Sequence, residues 1–349
     1  MESVRCRTLD TIRRRETGYV PFEFDLCPSL EEEFTRRTGQ TDYREYFGMP
    51  FRWLSAGPGE REVDFGRFFA DPGRLSYIDP WGVGHRAGGF AHFERMVPPM
   101  EAFTTVEEFA DYPYPDAEAD FDWARAAKEI AEIKEADLVA VAAMNITIFE
   151  IAWYMRGMET FMIDLATRPD LAEYHMDRIT AIRRGCARRY AVSGADILHL
   201  GDDVATQRGM MIAPEMWRRY LKPRLASVIA AARQVSSSII IDYHSDGDVT
   251  GIVDDLIEIG VDQLNPVQPE CMDPFDIKRR YGDRLSLRGA VGTQTTMPFG
   301  TPEEVESVCR RLIDELGRGG GYVLAPTHVL EPEVPWENIE ALCRAVRDR

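Results

Sequence analysis

Histidine, cysteine and basic residues are scarce in this chain of 349 residues. It has six histidines and six cysteines, and 41 Lys+Arg stand against 59 Asp+Glu, a formal net charge of -18. The scattered cysteines lack CxxC pairs, which argues against a disulfide-stapled fold and favours reduced thiols. Because excess acid repels phosphate backbones and anionic lipid, we expect no nucleic-acid or membrane partner.

Long apolar runs are also missing, since no stretch of the sequence approaches the roughly 18 residues that a membrane span requires. The N-terminal residues include arginines but lack the apolar core of a signal peptide. We therefore expect a soluble, cytoplasmic protein. The length permits either one large α/β barrel with insertions or two smaller domains.

Apolar runs of strand length alternate with helical patterns from about residue 136 onward, which is typical of βα units and a parallel sheet. These runs are continuous, as expected for strands that are covered on both faces. They lie at 138–144, 196–201, 238–243, 261–264, 285–290 and 321–325. With a seventh run at 19–26 and a weaker eighth at 75–79, the sequence predicts an α/β fold, a (β/α)8 TIM barrel.

The sequence contains more residues than a minimal barrel, which needs about 250. We assign the surplus to the N-terminal third, which begins with an extension over residues 1–18, and to a helical insertion over about 148–194. No linker or break in composition indicates a second domain. We therefore expect one domain over residues 1–349.

Polar side chains follow the predicted strands at or near the point where each strand ends. In a parallel barrel these ends meet on one face, where the functional site is built. We predict that several of these side chains contact the substrate: Glu23, Asp25, Asn145, Glu150, Gln207, Gln268 and Gln294. The alternative is that such residues cap helices or hold turns.

The sharpest local pattern is His244-Ser245-Asp246-Gly247, in which an imidazole and a carboxylate stand two residues apart at a strand end. With His328 from the last strand end, two imidazoles and one carboxylate would suit Zn²⁺ or Fe²⁺ with open positions for substrate. Spacing alone leaves an alternative open, in which His244 hydrogen-bonds a neighbouring carboxylate and His328 docks a loop.

Six ordered blocks in the C-terminal two-thirds of the chain resemble the uroporphyrinogen decarboxylase superfamily. The blocks are 201–207, 214–223, 244–247, 254–262, 265–268 and 319–328. That superfamily contains cofactor-free decarboxylases and zinc-dependent, corrinoid-linked methyltransferases, all on an eight-stranded barrel. The chain resembles a divergent member near the methyltransferase branch.

Two departures from the family patterns affect the expected chemistry. The decarboxylase branch carries arginines after its first strand, whereas segment 20–26 has two acids and no arginine. At the positions of the methyltransferase ligands, a His-x-Cys pair and a last-strand Cys, this chain has His244, Asp246 and His328, with Cys271 as a candidate further ligand. Exchanging two thiolates for one carboxylate would raise the formal charge at Zn²⁺ from about 0 to about +1, which favours polarising a substrate oxygen.

The resemblance implies a Zn- or Fe-dependent methyltransferase-like enzyme that acts on a small, O-methylated substrate. A corrinoid would come from a separate partner protein, and a homodimer is a candidate state because related barrels often form dimers. The predicted catalytic residues are Asp202, Asp203 and His328. Two alternatives stay open: a metal-free decarboxylase of a smaller acid, with Asp202 or Asp203 stabilising a protonated intermediate and His328 on the substrate, and a non-catalytic binding barrel.

Overall fold

The computed structural model describes residues 3–88 and 94–347, so the first two residues of the predicted N-terminal extension lie outside the described residues. The strands are β1 (Phe51–Leu54), β2 (Tyr77–Ile78), β3 (Gly84–Ala87), β4 (Glu94–Val97), β5 (Val139–Met144), β6 (Ile197–Gly201), β7 (Ala205–Thr206), β8 (Gly209–Met210), β9 (Ile240–His244), β10 (Gln263–Asn265), β11 (Ser286–Val291) and β12 (Tyr322–Pro326). Seven of them form a parallel sheet in the order β1-β5-β6-β9-β10-β11-β12.

Helices connect and cover these strands. They are α1 (Val4–Ile12), α2 (Pro28–Thr38), α3 (Tyr43–Phe47), α4 (Val106–Ala110), α5 (Trp123–Glu135), α6 (Phe149–Arg156), α7 (Met158–Thr167), α8 (Pro169–Val192), α9 (Pro214–Tyr220), α10 (Lys222–Arg233), α11 (Val253–Glu258), α12 (Pro274–Tyr281), α13 (Thr296–Phe299), α14 (Pro302–Leu316) and α15 (Trp336–Arg347). Within the described part of the chain, none of them has the length and apolar character needed to cross a bilayer.

The predicted α/β barrel is confirmed, and the six apolar runs after residue 136 correspond to β5, β6, β9, β10, β11 and β12. Segment 19–26 lies beside β12, where Phe22 and Leu26 form parallel bridges with Leu324 and Leu330. Through the Phe22–Leu324 bridge, this segment takes the place of an eighth strand in the parallel barrel.

The prediction of an eighth barrel strand at 75–79 is wrong. Residues Tyr77 and Ile78 form β2 of a small antiparallel sheet, β2-β3-β4. The barrel position is taken by β1, whose residues Phe51 to Leu54 pair in parallel with β5. With only four residues, including Arg52 and Trp53, β1 is too short and too polar for an apolar run to reveal it.

The amino end of the barrel is closed by apolar side chains, which places the functional site at the opposite end. Leu9 and Ile12 of α1 pack with strand residues in one buried cluster, so the N-terminal segment serves as a plug. The strand residues are Phe51, Val139, Val141, Ile197, Ile240 and Val323. In parallel barrels the carboxyl ends of the strands carry the functional loops.

Helices α6, α7 and α8 occupy most of the region predicted as a helical insertion. They begin directly after the end of β5, with helical breaks at Gly157 and Arg168. Helix α8 packs chiefly against α10, on the outer side of the barrel. The start of α6 lies at the mouth of the barrel, where Glu150 lines the cavity among the strand ends.

Candidate functional site

A cavity of about 480 Å³ opens among the strand ends of the barrel. This volume is in the range of small-molecule pockets. Its lining combines apolar side chains, such as Phe24, Trp53 and Ile146, with polar groups from nearly every strand end. Four of its lining residues, Glu23, Trp53, His199 and Arg288, form with the buried Asp242 a group that we call the floor. We call Asp203, His244 and Asp246 the rim; the first two line this cavity, and Asp246 lines a smaller neighbouring one.

The rim brings three potential metal ligands together. One donor atom from each of Asp203, His244 and Asp246 lies within 4.8 Å of the other two. His244 Nε2 is 3.6 Å from Asp203 Oδ1 and 3.8 Å from Asp246 Oδ1. A hydrogen bond of 2.8 Å from Asp246 N–H to Asp203 Oδ1 ties the two loops to each other.

Asn265 fixes the orientation of the His244 ring. The two residues are direct partners in the β9–β10 ladder. The Asn265 amide nitrogen donates to the Arg288 carbonyl oxygen at 3.1 Å, so Oδ1 is the atom that faces His244. Because Oδ1 can only accept, His244 Nδ1–H donates to it at 2.5 Å. This hydrogen bond turns Nε2 toward the two carboxylates, which is how polar neighbours orient a metal-ligating histidine.

The rim fits a divalent metal ion. Two donors that each lie about 2.1 Å from a shared tetrahedral Zn²⁺ are about 3.4 Å apart, close to the separations observed here. Two carboxylates and one imidazole form a hard, thiolate-free donor set that suits Zn²⁺ or Fe²⁺. Burial raises the pKa of Asp246; His244 and His328 oppose the rise and Asp203 adds to it.

The rim differs from the predicted metal trio of His244, Asp246 and His328, because Asp203 takes the third place. His328 is exposed and lines the cavity, but it is not part of the cluster of converging donor atoms. Cys271 also stands apart from the rim, and its Sγ donates to the Gln268 carbonyl oxygen at 3.5 Å. Burial raises the pKa of Cys271 to about 11, so its thiol stays protonated.

The floor is a closed network of charged groups. Arg288 Nη2 donates to Asp242 Oδ2 at 2.6 Å, and Arg288 Nη1 donates to Glu23 Oε1 at 3.0 Å. Trp53 Nε1–H donates to the second Glu23 oxygen at 2.8 Å, and the guanidinium lies 5.0 Å from the centre of the Trp53 ring. Burial alone would raise the pKa of Asp242, but Arg288 and His199 lower it to about 2.

His199 joins the floor through Asp242, its direct neighbour in the β6–β9 ladder. Its Nδ1 lies 2.6 Å from Asp242 Oδ2, and its ring edge meets Trp53 with 4.9 Å between ring centres. Burial lowers the pKa of His199, an effect that Asp242 opposes. The ring centre of His199 is 6.1 Å from that of His244, so floor and rim are adjacent.

Asp202 and Asp203, both predicted to be catalytic, face in different directions. The buried Asp202 carboxylate accepts hydrogen bonds from the backbone N–H groups of Thr147, Ile148 and Glu150 at 3.0 to 3.2 Å. Burial raises the pKa of Asp202 to about 6, and these N–H groups oppose the rise. Asp202 therefore anchors the start of α6, and only Asp203 faces the cavity.

The chain shows a clear relationship to known proteins. Residues 91–349 match the family model of uroporphyrinogen decarboxylase (URO-D). The chain belongs to the uroporphyrinogen decarboxylase family. As expected from the sequence, methyltransferases and decarboxylases are both among its relatives.

Three relatives illustrate the range of this family. Methylcobamide:CoM methyltransferase MtaA of Methanosarcina barkeri is 28% identical over 189 residues, which are 54% of this chain and 52% of that protein. Uroporphyrinogen decarboxylase of Coxiella burnetii is 24% identical over 207 residues, 57% of this chain and 55% of that protein. The chain thus spans about half the length of the curated relatives it matches. A methyltransferase structure from Methanosarcina mazei superposes with a TM-score of 0.72 at 20% identity, covering 100% of this chain and 99% of that one, and shows the shared fold.

Four residues predicted to bind substrate line the cavity of this uroporphyrinogen decarboxylase family member: Glu23, Asp25, Asn145 and Glu150. The Glu23 carboxylate is already bound by floor groups, and Asp25 pairs with Arg44 at the mouth. Glu150 accepts from Asp203 N–H at 3.0 Å and from the Tyr154 hydroxyl at 3.0 Å. Burial, with added repulsion from Asp202 and Asp203, raises the pKa of Glu150 to about 8.

The three predicted glutamines lie away from the main cavity. Gln207 is exposed in the turn between β7 and β8, so the structure does not support its predicted role in binding. Gln268 and Gln294 line a smaller neighbouring cavity of about 260 Å³, which shares His328 with the main one. The buried Gln268 accepts from Gly247 N–H at 3.3 Å. Gly247 has a φ of +84°, and a Cβ there would lie 2.6 Å from the Thr206 carbonyl oxygen, so glycine is required at this turn.

Sequence reasoning missed most of the floor of this family member. Trp53, His199, Asp242 and Arg288 are not among the predicted site residues. A usable signal was present, because Asp242 and Arg288 interrupt otherwise apolar strands. A charged residue inside such a strand is rarely buried without a partner, which predicts a buried ion pair.

Proposed function

We propose that the chain is a metal-dependent, methyltransferase-like enzyme that removes a methyl group from an oxygen of a small O-methylated substrate. We further propose that the methyl group passes to a corrinoid carried by a separate protein. The observation that carries the proposal is the rim, where Asp203 and His244 of the main cavity converge with Asp246. The relative named methylcobamide:CoM methyltransferase supports methyl transfer and a cobamide partner.

Asp203, His244 and Asp246 would hold the ion, which we take to be Zn²⁺ or Fe²⁺. Two carboxylates and a neutral imidazole bring the formal charge at a divalent ion to about 0, and not to the +1 of the predicted trio. The proposed preference of the bound ion for a substrate oxygen therefore rests on its hard carboxylate ligands, since carboxylate sites suit metals that bind oxygen. When bound, the ion would supply Lewis-acid polarisation of the substrate oxygen.

The residues of the chain supply position and enclosure. Asn265 holds the His244 ring, and the Asp203–Asp246 hydrogen bond keeps the two loops in register. Apolar walls from Phe24 and Ile146 leave room for the methyl group. In the proposed reaction the O–CH₃ bond breaks with its electron pair on oxygen, the methyl group passes to a reduced corrinoid whose electron pair forms the new bond, and the oxygen takes up a proton.

Metal content tests the rim directly. Protein stripped with a chelator, reloaded with Zn²⁺ and desalted should retain about one equivalent by elemental analysis. We expect His244→Ala and Asp203→Ala to lose the ion, because each change removes one of three ligands. His85→Ala, on β3 outside the rim, is the matched control. His328→Ala should also retain the ion, and loss of the ion only in His328→Ala would contradict the observed ligand set.

A turnover assay tests the reaction. Metal-loaded protein is mixed with a methoxy compound and a reduced corrinoid, and methylation of the corrinoid is followed by its absorbance. We expect methylation with wild type and none with His244→Ala. Release of CO₂ from a small acid by chelator-treated protein would instead favour a metal-free decarboxylase. Ligand binding without turnover under all conditions would favour the non-catalytic barrel.

A further inference from the structure

His199 has one ring nitrogen that the floor does not use. Its Nδ1 is bound to Asp242, whereas Nε2 has no hydrogen-bond partner among the described residues. His199 lines the main cavity, and its Nε2 is not among the buried polar atoms left without a partner. This nitrogen is therefore open to whatever occupies the cavity.

The neighbours of His199 decide which of its nitrogens carries the proton. Asp242 Oδ2 already accepts from Arg288 Nη2 at 2.6 Å, so it also accepts across its 2.6 Å contact with His199, and His199 Nδ1–H is the donor. Arg288 Nη2 lies 3.4 Å from the same nitrogen, but it is also a donor and its 2.6 Å partner is Asp242 Oδ2. An imidazole that donates from Nδ1 offers a lone pair at Nε2.

Charges at the floor disfavour an acidic substrate. Arg288 is paired with both Glu23 and Asp242, so a substrate carboxylate at the floor would meet two carboxyl groups beside the one cation that they share. Burying an unpaired charge there would be costly. A neutral donor such as a hydroxyl group meets no such penalty and finds an acceptor in Nε2.

We propose that His199 Nε2 accepts a hydrogen bond from a hydroxyl group of the substrate, so that the cavity selects uncharged, hydroxylated O-methyl compounds. The inference rests on the proposed function for the presence of the O-methyl group, but the hydroxyl preference is a property of binding alone. His199 is thus assigned as a specificity-determining residue. A donor group at the floor would leave the rest of the substrate near the rim, because the two histidine rings are adjacent.

Three matched probes test this assignment: 2-methoxycyclohexanol, 1,2-dimethoxycyclohexane and 2-methoxycyclohexanecarboxylate. Their dissociation constants are measured by calorimetry on Zn²⁺-loaded protein, without corrinoid. Wild type should bind the alcohol about tenfold more tightly than the dimethoxy compound, as expected for one hydrogen bond. The carboxylate should bind at least tenfold more weakly than the alcohol.

The variant His199→Phe keeps a ring beside Trp53 but removes the acceptor. It should bind the dimethoxy compound within about twofold of wild type and lose the preference for the alcohol. A retained preference would overturn the assignment. If this variant fails to fold, the order of the three dissociation constants in wild type tests the assignment. Equal binding of the alcohol and the dimethoxy compound would overturn it, as would tighter binding of the carboxylate. Absence of binding of any probe at millimolar concentration would overturn it too. The expected ranking without methyl transfer would leave the assignment standing and contradict only the proposed function.

Discussion

The floor and the rim of the cavity use similar side chains in opposite ways. At the floor, Arg288 lies between Glu23 and Asp242, and each carboxylate has its partner within the protein. At the rim, Asp203 and Asp246 face the His244 ring, and in the described part of the chain neither is paired with lysine or arginine. The floor is complete as folded, whereas the rim has the composition of a site that completes itself by binding a cation.

The largest expected effect follows from removing Arg288, the cation at the floor. Arg288→Met leaves Glu23 and Asp242 buried without their cation, and should lower the free energy of unfolding by about 3 to 5 kcal/mol. Urea denaturation of metal-free protein measures the change. Arg44→Met is the matched control, because the Arg44–Asp25 pair is partly exposed and should contribute less than about 1 kcal/mol. Equal losses in the two variants would contradict the distinction.

Two adjacent aspartates sharpen the comparison. Asp202→Ala removes the acceptor of three buried backbone N–H groups at the start of α6, and should lower the free energy of unfolding by about 2 to 3 kcal/mol. Asp203→Ala should lower it by less than about 1 kcal/mol in metal-free protein, yet abolish zinc retention. Thermal unfolding with chelator, followed by elemental analysis after reloading, separates the two roles. If Asp202→Ala loses zinc without a loss of stability, Asp202 is the metal ligand and the assignment of the two roles is wrong.

His175 differs from His199 and His244 because both of its ring nitrogens are hydrogen-bonded within the protein. Buried His175 accepts from the Tyr114 hydroxyl at 2.6 Å and donates to the Ala152 carbonyl oxygen at 3.1 Å. Burial lowers its pKa to about 3. Between about pH 6.5 and pH 3, His175 binds a proton in the unfolded chain but not in the folded one. The contribution of His175 to the free energy of unfolding is therefore complete above about pH 6.5 and falls as the pH drops toward 3. At pH 5 the loss is about 2 kcal/mol.

The variant His175→Gln tests this pH dependence. It should be less stable than wild type at pH 7, because its hydrogen bonds fit less well, but should lose about 2 kcal/mol less between pH 7 and pH 5. Urea denaturation at the two pH values gives the difference. Parallel pH dependence in wild type and variant would show that His175 does not resist protonation.

The smallest effect is expected at Cys271. Because its thiol stays protonated and stands apart from the rim, Cys271→Ser should leave zinc affinity unchanged within about twofold. The free energy of unfolding should change by less than about 0.5 kcal/mol. Competition with a chromogenic chelator measures the affinity. Tenfold weaker zinc binding would instead place the thiol among the ligands.

Much of the fold was accessible from sequence because each βα unit repeats the same local pattern. Continuous apolar runs identified six barrel strands, but β1 was missed, since four residues with Arg52 among them show no such pattern. At the rim, the spacing of His244 and Asp246 singled out two of the three converging donors. The third could not be chosen by spacing, because Asp203 and His328 both follow strand ends and only the path of the loops separates them.

The sequence by itself determined a parallel barrel, the end of it that carries polar groups, and a histidine and a carboxylate two residues apart on the same face of a strand end. Local periodicity is sufficient for these features because they depend on residues close together in the chain. Only the tertiary structure decided that Asp202 anchors a helix while Asp203 faces the cavity, and that Arg288 joins Glu23 from 265 residues away. Closure of the barrel brings such distant residues into contact, and burial then requires each charge to find its partner.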